Sequence, residues 1–322
     1  MAAYEAALRL FSDNTRTIKK AFKWQNILAV RLASMLLTAS NVSAREEKLL
    51  EIKLMLKSSV GVFSNLRGNV ELPLIAILAQ AGRPQETLQS TIHVQTLLKA
   101  EKFWKNDYLG IAAAQIALRV PHENHAGVVK RSREFYDAMR RNHPLITGTE
   151  DYSSCCMLAI AGLGVQPTTV KIEELMAELK PHFGGAPNVR QTLAQLLVLG
   201  EADPSGTVDR ILALREELRS RRLKPGVEIA AVLGVLSLMP GEPRYLAEQV
   251  ADCYHDLKAD SAFGKWQAKN VTLLFAASLV TVGVVTELTN ATLTNTITNL
   301  ILAQQAAIAT GNAAIVAAVA SN

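Results

Sequence analysis

Aromatic side chains are scarce in this chain, at 5% of 322 residues, and alternating β-branched runs bounded by hairpin turns are missing altogether. No β-sheet is therefore expected. Cysteine is nearly as rare: three residues, two of them adjacent (Cys155 and Cys156), cannot build a disulfide framework. The default setting for such a chain is reducing and cytoplasmic. Familiar motifs are lacking too. There is no GxxxxGK[ST] phosphate loop, no GxSxG elbow, no HExxH and no CxxC, which removes the common nucleotide-binding, hydrolase and zinc signatures. The stretch Met1 to Phe11 carries Glu5 and Arg9 and reads as an amphipathic helix, not as a secretory signal. A net charge of +5 is modest for this length and permits an anionic partner without requiring one.

What the chain does have is helix-forming residues in a repeating order. A hydrophobic landmark follows each amphipathic stretch: Phe22, Phe63, Phe103, Leu145, Phe183, Leu223 and Phe263, at spacings of 41, 40, 42, 38, 40 and 40. Four to seven residues earlier stands another large apolar residue: Ile18, Leu56, Leu98, Met139, Leu179, Leu218 and Leu257. Directly after each of these comes a cation: Lys19, Lys57, Lys99, Arg140, Lys180, Arg219 and Lys258. A period near 40 is that of helix-pair arrays, in which each unit buries its apolar face only by stacking on a neighbour.

The first helix of each unit is amphipathic, as in Glu46 to Leu56, where Leu49, Leu50, Leu54 and Met55 are expected on one side. The second is apolar nearly all round: Leu72 to Ala79, Ile111 to Leu118, Cys155 to Leu163, Leu193 to Leu199 and Ile229 to Leu238. Such helices need helical neighbours on most sides. Pro84, Pro204 and Pro243 suit first helical positions, Asp203 suits an N-cap, and Thr147 with Glu150 has capping-box spacing. Gly184, Gly185, Gly226 and Gly264 are expected in turns between paired helices. The fold class is all-α, with about seven stacked antiparallel helix pairs, as an α-solenoid or a closed α/α array.

Two regions follow from composition. Residues 1–285 form the helical-repeat domain, and Val271 to Val285 is its last apolar helix, too short to cross a bilayer. Residues 286–322 are rich in Ala, Thr, Asn and Gln, with Glu287 the single charge, and are expected to form capping helices over the last apolar face. Self-association or surface attachment to a membrane through this segment are the alternatives, the latter weakened by its lack of Lys and Arg.

Candidate chemistry is thin. His122, Glu123 and His125 crowd near a helix start and His143 could approach them, but polarity at a helix start explains them and no metal site is assigned. Cys155 and Cys156 lie on an apolar helix, where thiols behave as small hydrophobes. Phe63 to Asn69 could cradle an anion through Arg67, or serve as a structural turn in which Gly68 adopts an unusual φ and Arg67 pairs with a nearby acid. The basic clusters around Lys130 to Arg141 and Arg215 to Lys224 are interleaved with Glu134, Asp137, Glu216 and Glu217, as solvated faces are, so nucleic acid is not expected. The seven periodic cations each suit a helix C-terminus, and stacking would also align them along one edge.

Several of these residues resemble a known family. Phe22-Lys23-Trp24 before an apolar helix, Phe63-Ser64 with Arg67-Gly68, His143-Pro144 ahead of Glu150-Asp151, and the Ala- and Gln-rich close are similar to the bacterial domain-of-unknown-function family 4003. The resemblance covers nearly the whole chain. It implies a bacterial, cytoplasmic, helical protein and carries no activity with it.

The expected function is that of a non-enzymatic scaffold binding another protein, or a second copy of itself, along a groove or edge. No catalytic residue and no cofactor is called for, and no span across a membrane is expected. The competing expectation is an enzyme or small-ligand or anion binder with its site where inter-helix loops converge. Trp24, Arg67, Asn69, Asp107, Glu150, Asp151 and Lys269 are its candidates, each near the start of a second helix.

Overall fold

Helices that are apolar on most sides must be surrounded by other helices, and the chain achieves this by alternating outer and inner members of seven hairpins. The computed structural model describes residues 4–62, 64–200, 204–263 and 269–282, and over these it forms fourteen α-helices and no strand. The hairpins are α1 (Tyr4–Ala21) with α2 (Ile27–Ala39), α3 (Glu46–Ser59) with α4 (Glu71–Gln80), and α5 (Pro84–Ala100) with α6 (Asp107–Arg119). They continue with α7 (His125–Asn142) and α8 (Tyr152–Ile160), α9 (Val165–Leu179) and α10 (Pro187–Leu199), and α11 (Pro204–Ser220) and α12 (Ala230–Ser237). The last pair is α13 (Pro243–Ala259) with α14 (Lys269–Thr281). Phe63, Asp203, Gly264 and residues 283–322, and with them the expected capping segment, lie outside the described residues.

The packing order settles the architecture. Even-numbered helices pack each on the next, from α2 through to α14, and α14 returns to α2. Odd-numbered helices do the same outside them, from α1 to α13, and α13 packs on α1. The array is thus closed: two concentric rings of seven helices. Inner helices are buried over most of their length, as Leu72 to Ala79, Leu109 to Ile116 and Ala230 to Ser237 show. Ala112, Ala113 and Ala114 are fully buried on α6, where small side chains allow close approach between helices.

Closure has a specific seam. Phe11, Phe263 and Phe275 form a buried aromatic cluster with ring centroids 5.6 to 6.2 Å apart. The Tyr4 hydroxyl donates to Asp256 Oδ2 at 2.9 Å, the Ser12 hydroxyl to Asp260 Oδ2, and Arg16 Nη2 to Asp260 Oδ1 at 3.3 Å. Arg31, on inner helix α2 and 1% exposed, donates to the carbonyl of Phe263 and lies 4.2 Å from the centre of that ring. Its guanidinium is held at about 10, down from the ordinary arginine range, because burial disfavours the charge.

Neighbouring hairpins are also tied by polar bonds one period apart in sequence. The Ser40 hydroxyl donates to Gln80 Oε1 at 2.7 Å, and Gln191 Nε2 to Asp151 Oδ1 at 2.9 Å. Asn65 Nδ2 donates to the Asn106 carbonyl at 2.6 Å.

The seven apolar residues at the ends of the outer helices, Ile18 to Leu257, are all buried, and the seven cations after them are all exposed. Each cation sits in the last turn of its helix or, for Lys180, at its C-cap, where it faces the negative end of the macrodipole. Of the hydrophobic landmarks, Phe22, Phe103, Phe183, Leu223 and Phe263 are buried. Leu145 is not: it is 97% exposed. Its place is taken by His143, whose N–H donates to the Met139 carbonyl at 2.8 Å, as that of Phe22 does to Ile18 at 2.8 Å and that of Phe183 to Leu179 at 3.0 Å. With His143 in place, the last five landmarks stand at a uniform spacing of 40.

Two of these helix ends show why a hydrophobic landmark recurs. The N–H of Phe103 bonds the Leu98 carbonyl at 3.1 Å and that of Lys102 bonds Lys99 at 3.0 Å, which is a Schellman ending. Leu223 and Arg222 repeat it over Leu218 and Arg219. The landmark is the apolar residue that folds back on the helix, and Lys102 and Arg222 occupy the left-handed position at φ 62° and 63°.

Other local expectations shift slightly. On α3 the buried stripe is Leu49, Ile52 and Leu56, while Leu54 is 69% exposed. The apolar surplus of that helix hid its true face. α8 stops at Ile160 instead of Leu163, because the chain turns through Gly162 at φ 74°. Thr147 and Glu150 form no capping box: Asp151 accepts from the Gly148 N–H at 2.9 Å, and the Thr147 hydroxyl donates to Gln191 Oε1 at 3.3 Å. Pro84, Pro204 and Pro243 begin their helices, and Pro73 and Pro167 fall in first turns, where a missing N–H breaks no helical bond.

Candidate functional site: the loop end of the ring

Every hairpin turns at the same end of the ring, between the C-terminus of an outer helix and the N-terminus of an inner one. All seven candidate residues therefore lie at this end. They do not converge on one point. Trp24 is 97% exposed, in the turn before α2, and Lys269 is exposed at the start of α14. Arg67 lies 3.8 Å from Glu71, one helical turn on, and Gly68 beside it has φ 77°. The described part of the string, Ser64 to Asn69, thus holds a turn in which the arginine has an acidic neighbour and the glycine a left-handed backbone.

A second group does assemble. Asn69 Nδ2 donates to Asp107 Oδ2 at 3.3 Å. Asp107, Glu150 and Asp151 all bear electrostatically on Tyr108, whose phenol is pushed up to about 12, first by burial and then by these three charges. Glu150 is exposed, whereas Asp151 is 5% exposed. The Asp151 carboxylate accepts from Gly148 N, from Gln191 Nε2 and, at 3.0 Å, from Gln195 Nε2. Burial nevertheless outweighs those three donors and raises it to about 6 from 3.8. Asp151 joins α8 to α10 through the two glutamines, so its hydrogen bonds are spent inside the fold.

Three clefts are lined by other residues. Two sit at the opposite end of the ring: one of about 440 Å³ at Asn41 to Arg45, and one of about 760 Å³ between Arg45 and Glu86. The third, about 440 Å³, lies at the loop end beside the closing seam and is lined by Thr15, Arg16, Lys19, Lys20, Lys23, Ser261 and Ala262. Lys20 pairs with Glu46 at 2.7 Å and Arg16 with Asp13 at 2.9 Å and Asp260 at 3.3 Å, so the basic character of this cleft rests on Lys19 and Lys23.

Exposed apolar residues mark the same end. Among the described residues eight large hydrophobics are exposed, and five of them lie in loops there: Trp24, Val62, Trp104, Leu145 and Val227. None lies in the described loops of the opposite end. The first four occupy the turns of four consecutive hairpins, at 97%, 69%, 76% and 97% exposure. Lys23, Lys57, Lys102, Lys105, Arg140 and Arg141 stand on either side of them in sequence.

The histidines arrange themselves differently from the sequence expectation. His143 is taken by Glu173, with Nε2 at 2.8 and 3.0 Å from its two carboxylate oxygens. The residue that joins His122 and His125 is His93 on α5. Nothing in the spacing pointed to it, because it lies on a different helix, and only the side-by-side packing of α5 and α7 brings it near. The three cysteines are buried; burial pushes the Cys156 thiol up to about 12 and raises Cys155 and Cys253 as well, which suits a packing role.

A closed double ring of α-hairpins, with an apolar-studded basic rim on one end, is the class of protein that fold and surface define. The chain belongs to the family described as "Protein of unknown function (DUF4003)", whose model matches residues 14–306. No curated protein and no solved structure matches it. Among the described residues no helix is long and apolar enough to cross a membrane.

Proposed function

We propose that this protein is a non-catalytic docking module of the bacterial cytoplasm, which holds an acidic protein partner on the loop end of its ring. The observation that carries the reading is the row of exposed Trp24, Val62, Trp104 and Leu145 on four consecutive turns. Soluble surfaces seldom place such residues together without something to cover them, and tryptophan is the side chain most enriched among interface anchors. Lysines and arginines between the anchors select the partner's charge. The basic cleft at the seam extends the same surface. A ligand site among the converging loops is the weaker reading, since Arg67, Asn69 and Asp151 already engage neighbouring side chains.

The test is site-specific photocrosslinking in bacterial cells expressing the full chain. A photoreactive residue replaces Trp24 or Leu145, or, as a control, the exposed Gln85 at the other end. One and the same acidic protein joined at both rim positions and absent at Gln85 supports the reading. Identical adducts at all three positions overturn it. So does co-sedimentation of the purified chain with anionic lipid vesicles that W24S/W104S abolishes, which would make the rim a membrane contact.

A further inference from the structure

At the end of the ring opposite the rim, three imidazoles from separate segments meet: His93 in the middle of α5, His122 in the short turn after α6, and His125 at the first residue of α7. One ring nitrogen from each lies within 4.8 Å of the others. His93 and His122 stack at 5.1 Å between centroids, and His122 and His125 stand 5.2 Å apart.

His125 is the informative member. It is 1% exposed, and its Nε2 lies 3.0 Å from the Val120 carbonyl. A carbonyl only accepts, so Nε2 carries the proton and Nδ1 presents a lone pair. That Nδ1 is buried and has no hydrogen-bond partner. A buried acceptor without a partner costs roughly as much as a lost hydrogen bond, and at a cluster of three imidazoles a bound ion is a partner that would satisfy it. Backbone anchoring of the second ring nitrogen is the support that metal-ligating histidines characteristically have.

We propose that His93, His122 and His125 form a binding site for one divalent transition metal ion of the zinc class. Three imidazole nitrogens and no hard oxygen donor favour zinc, copper, nickel or cobalt over magnesium or calcium. Around a tetrahedral zinc, bonds of 2.0–2.1 Å set ligand nitrogens about 3.3 Å apart. Small rotations of the two exposed rings close the difference, while buried His125 stays fixed. The exposure of His93 and His122 gives the ion its entry path and leaves a fourth position for water. Bound there, the ion ties α5 to the start of α7. The site is separate from the rim, and its test does not depend on partner docking.

The experiment is isothermal titration of the full chain, made without a polyhistidine tag and freed of metal, with zinc chloride. The expected result is one zinc per chain, with H93A/H122A weakening binding at least about 100-fold and H182A/H255A leaving it unchanged. Both residues of the first pair are exposed, so that variant keeps its fold; its helical signal and Tm without metal are checked alongside. Cobalt substitution should give the intense visible bands of a four-coordinate ion in wild type only. No binding at micromolar zinc, or equal binding by H93A/H122A, overturns the proposal.

Discussion

Asp151 offers a sharp test of the packing, because two opposing effects act on it and their balance has a sign. Three N–H donors favour the charged carboxylate, while burial disfavours it, and burial wins: the group titrates at about 6 in the fold against 3.8 when free. A carboxyl whose folded value is raised stabilises the fold when protonated. Its contribution is fully present below 3.8 and is lost as the pH rises through about 6. A displacement of about two units is worth about 3 kcal/mol. Asp151→Asn keeps the shape and removes the titration. Gln195 Oε1 has no partner in the wild type, so that side chain can turn to accept from the amide the substitution introduces. Urea denaturation of both proteins from about pH 4 to pH 7 gives the difference in unfolding free energy. Wild type should lose about 2 kcal/mol relative to the variant across that range, with equal m-values. A flat difference would show that the three donors cancel burial, and one in which wild type gains as pH rises that they outweigh it; either refutes the reasoning.

Other consequences follow from the seam and the helix ends. Arg31→Ala removes a buried cation–π contact and orphans the Phe263 carbonyl, and should lower stability by about 3–5 kcal/mol in thermal or urea denaturation; Arg31→Met, which keeps the stem, should cost less. Lys102→Gly relieves a left-handed backbone at φ 62° without touching the core, and should raise stability by about 1 kcal/mol, read as an increase in Tm. Arg222→Gly should behave alike, and a loss of stability in both would remove the Schellman assignment.

Much of the fold was legible in the sequence because its signal is coarse. Helices that are apolar all round, separated by amphipathic ones at a period of 40, leave few arrangements open. Finer features were hidden where composition and role part company. Apolar character singles out Leu145 in the sequence, whereas the position is defined by a backbone bond that His143 makes. Leu54 belonged to the apolar count of α3 and points to solvent. Closure was not legible at all, since a period of 40 serves an open stack and a ring equally. What decides it are contacts across the whole chain, from Phe11 and Arg31 to Phe263. Sequence placed the candidate residues at one end of the molecule, but only the structure shows Asp151 turned into the α8–α10 contact and four exposed apolar turns side by side. His93 carries no local cue, as its neighbours come from packing between hairpins.

Small-angle X-ray scattering of the dilute monomer tests the closed ring most directly. A globular chain of this length has a radius of gyration of about 20 Å, and the ring should scatter close to that value with a symmetric distance distribution. A distinctly larger radius with the skewed distribution of an elongated particle would mean that α1 and α13 do not meet in solution, and the ring would be wrong.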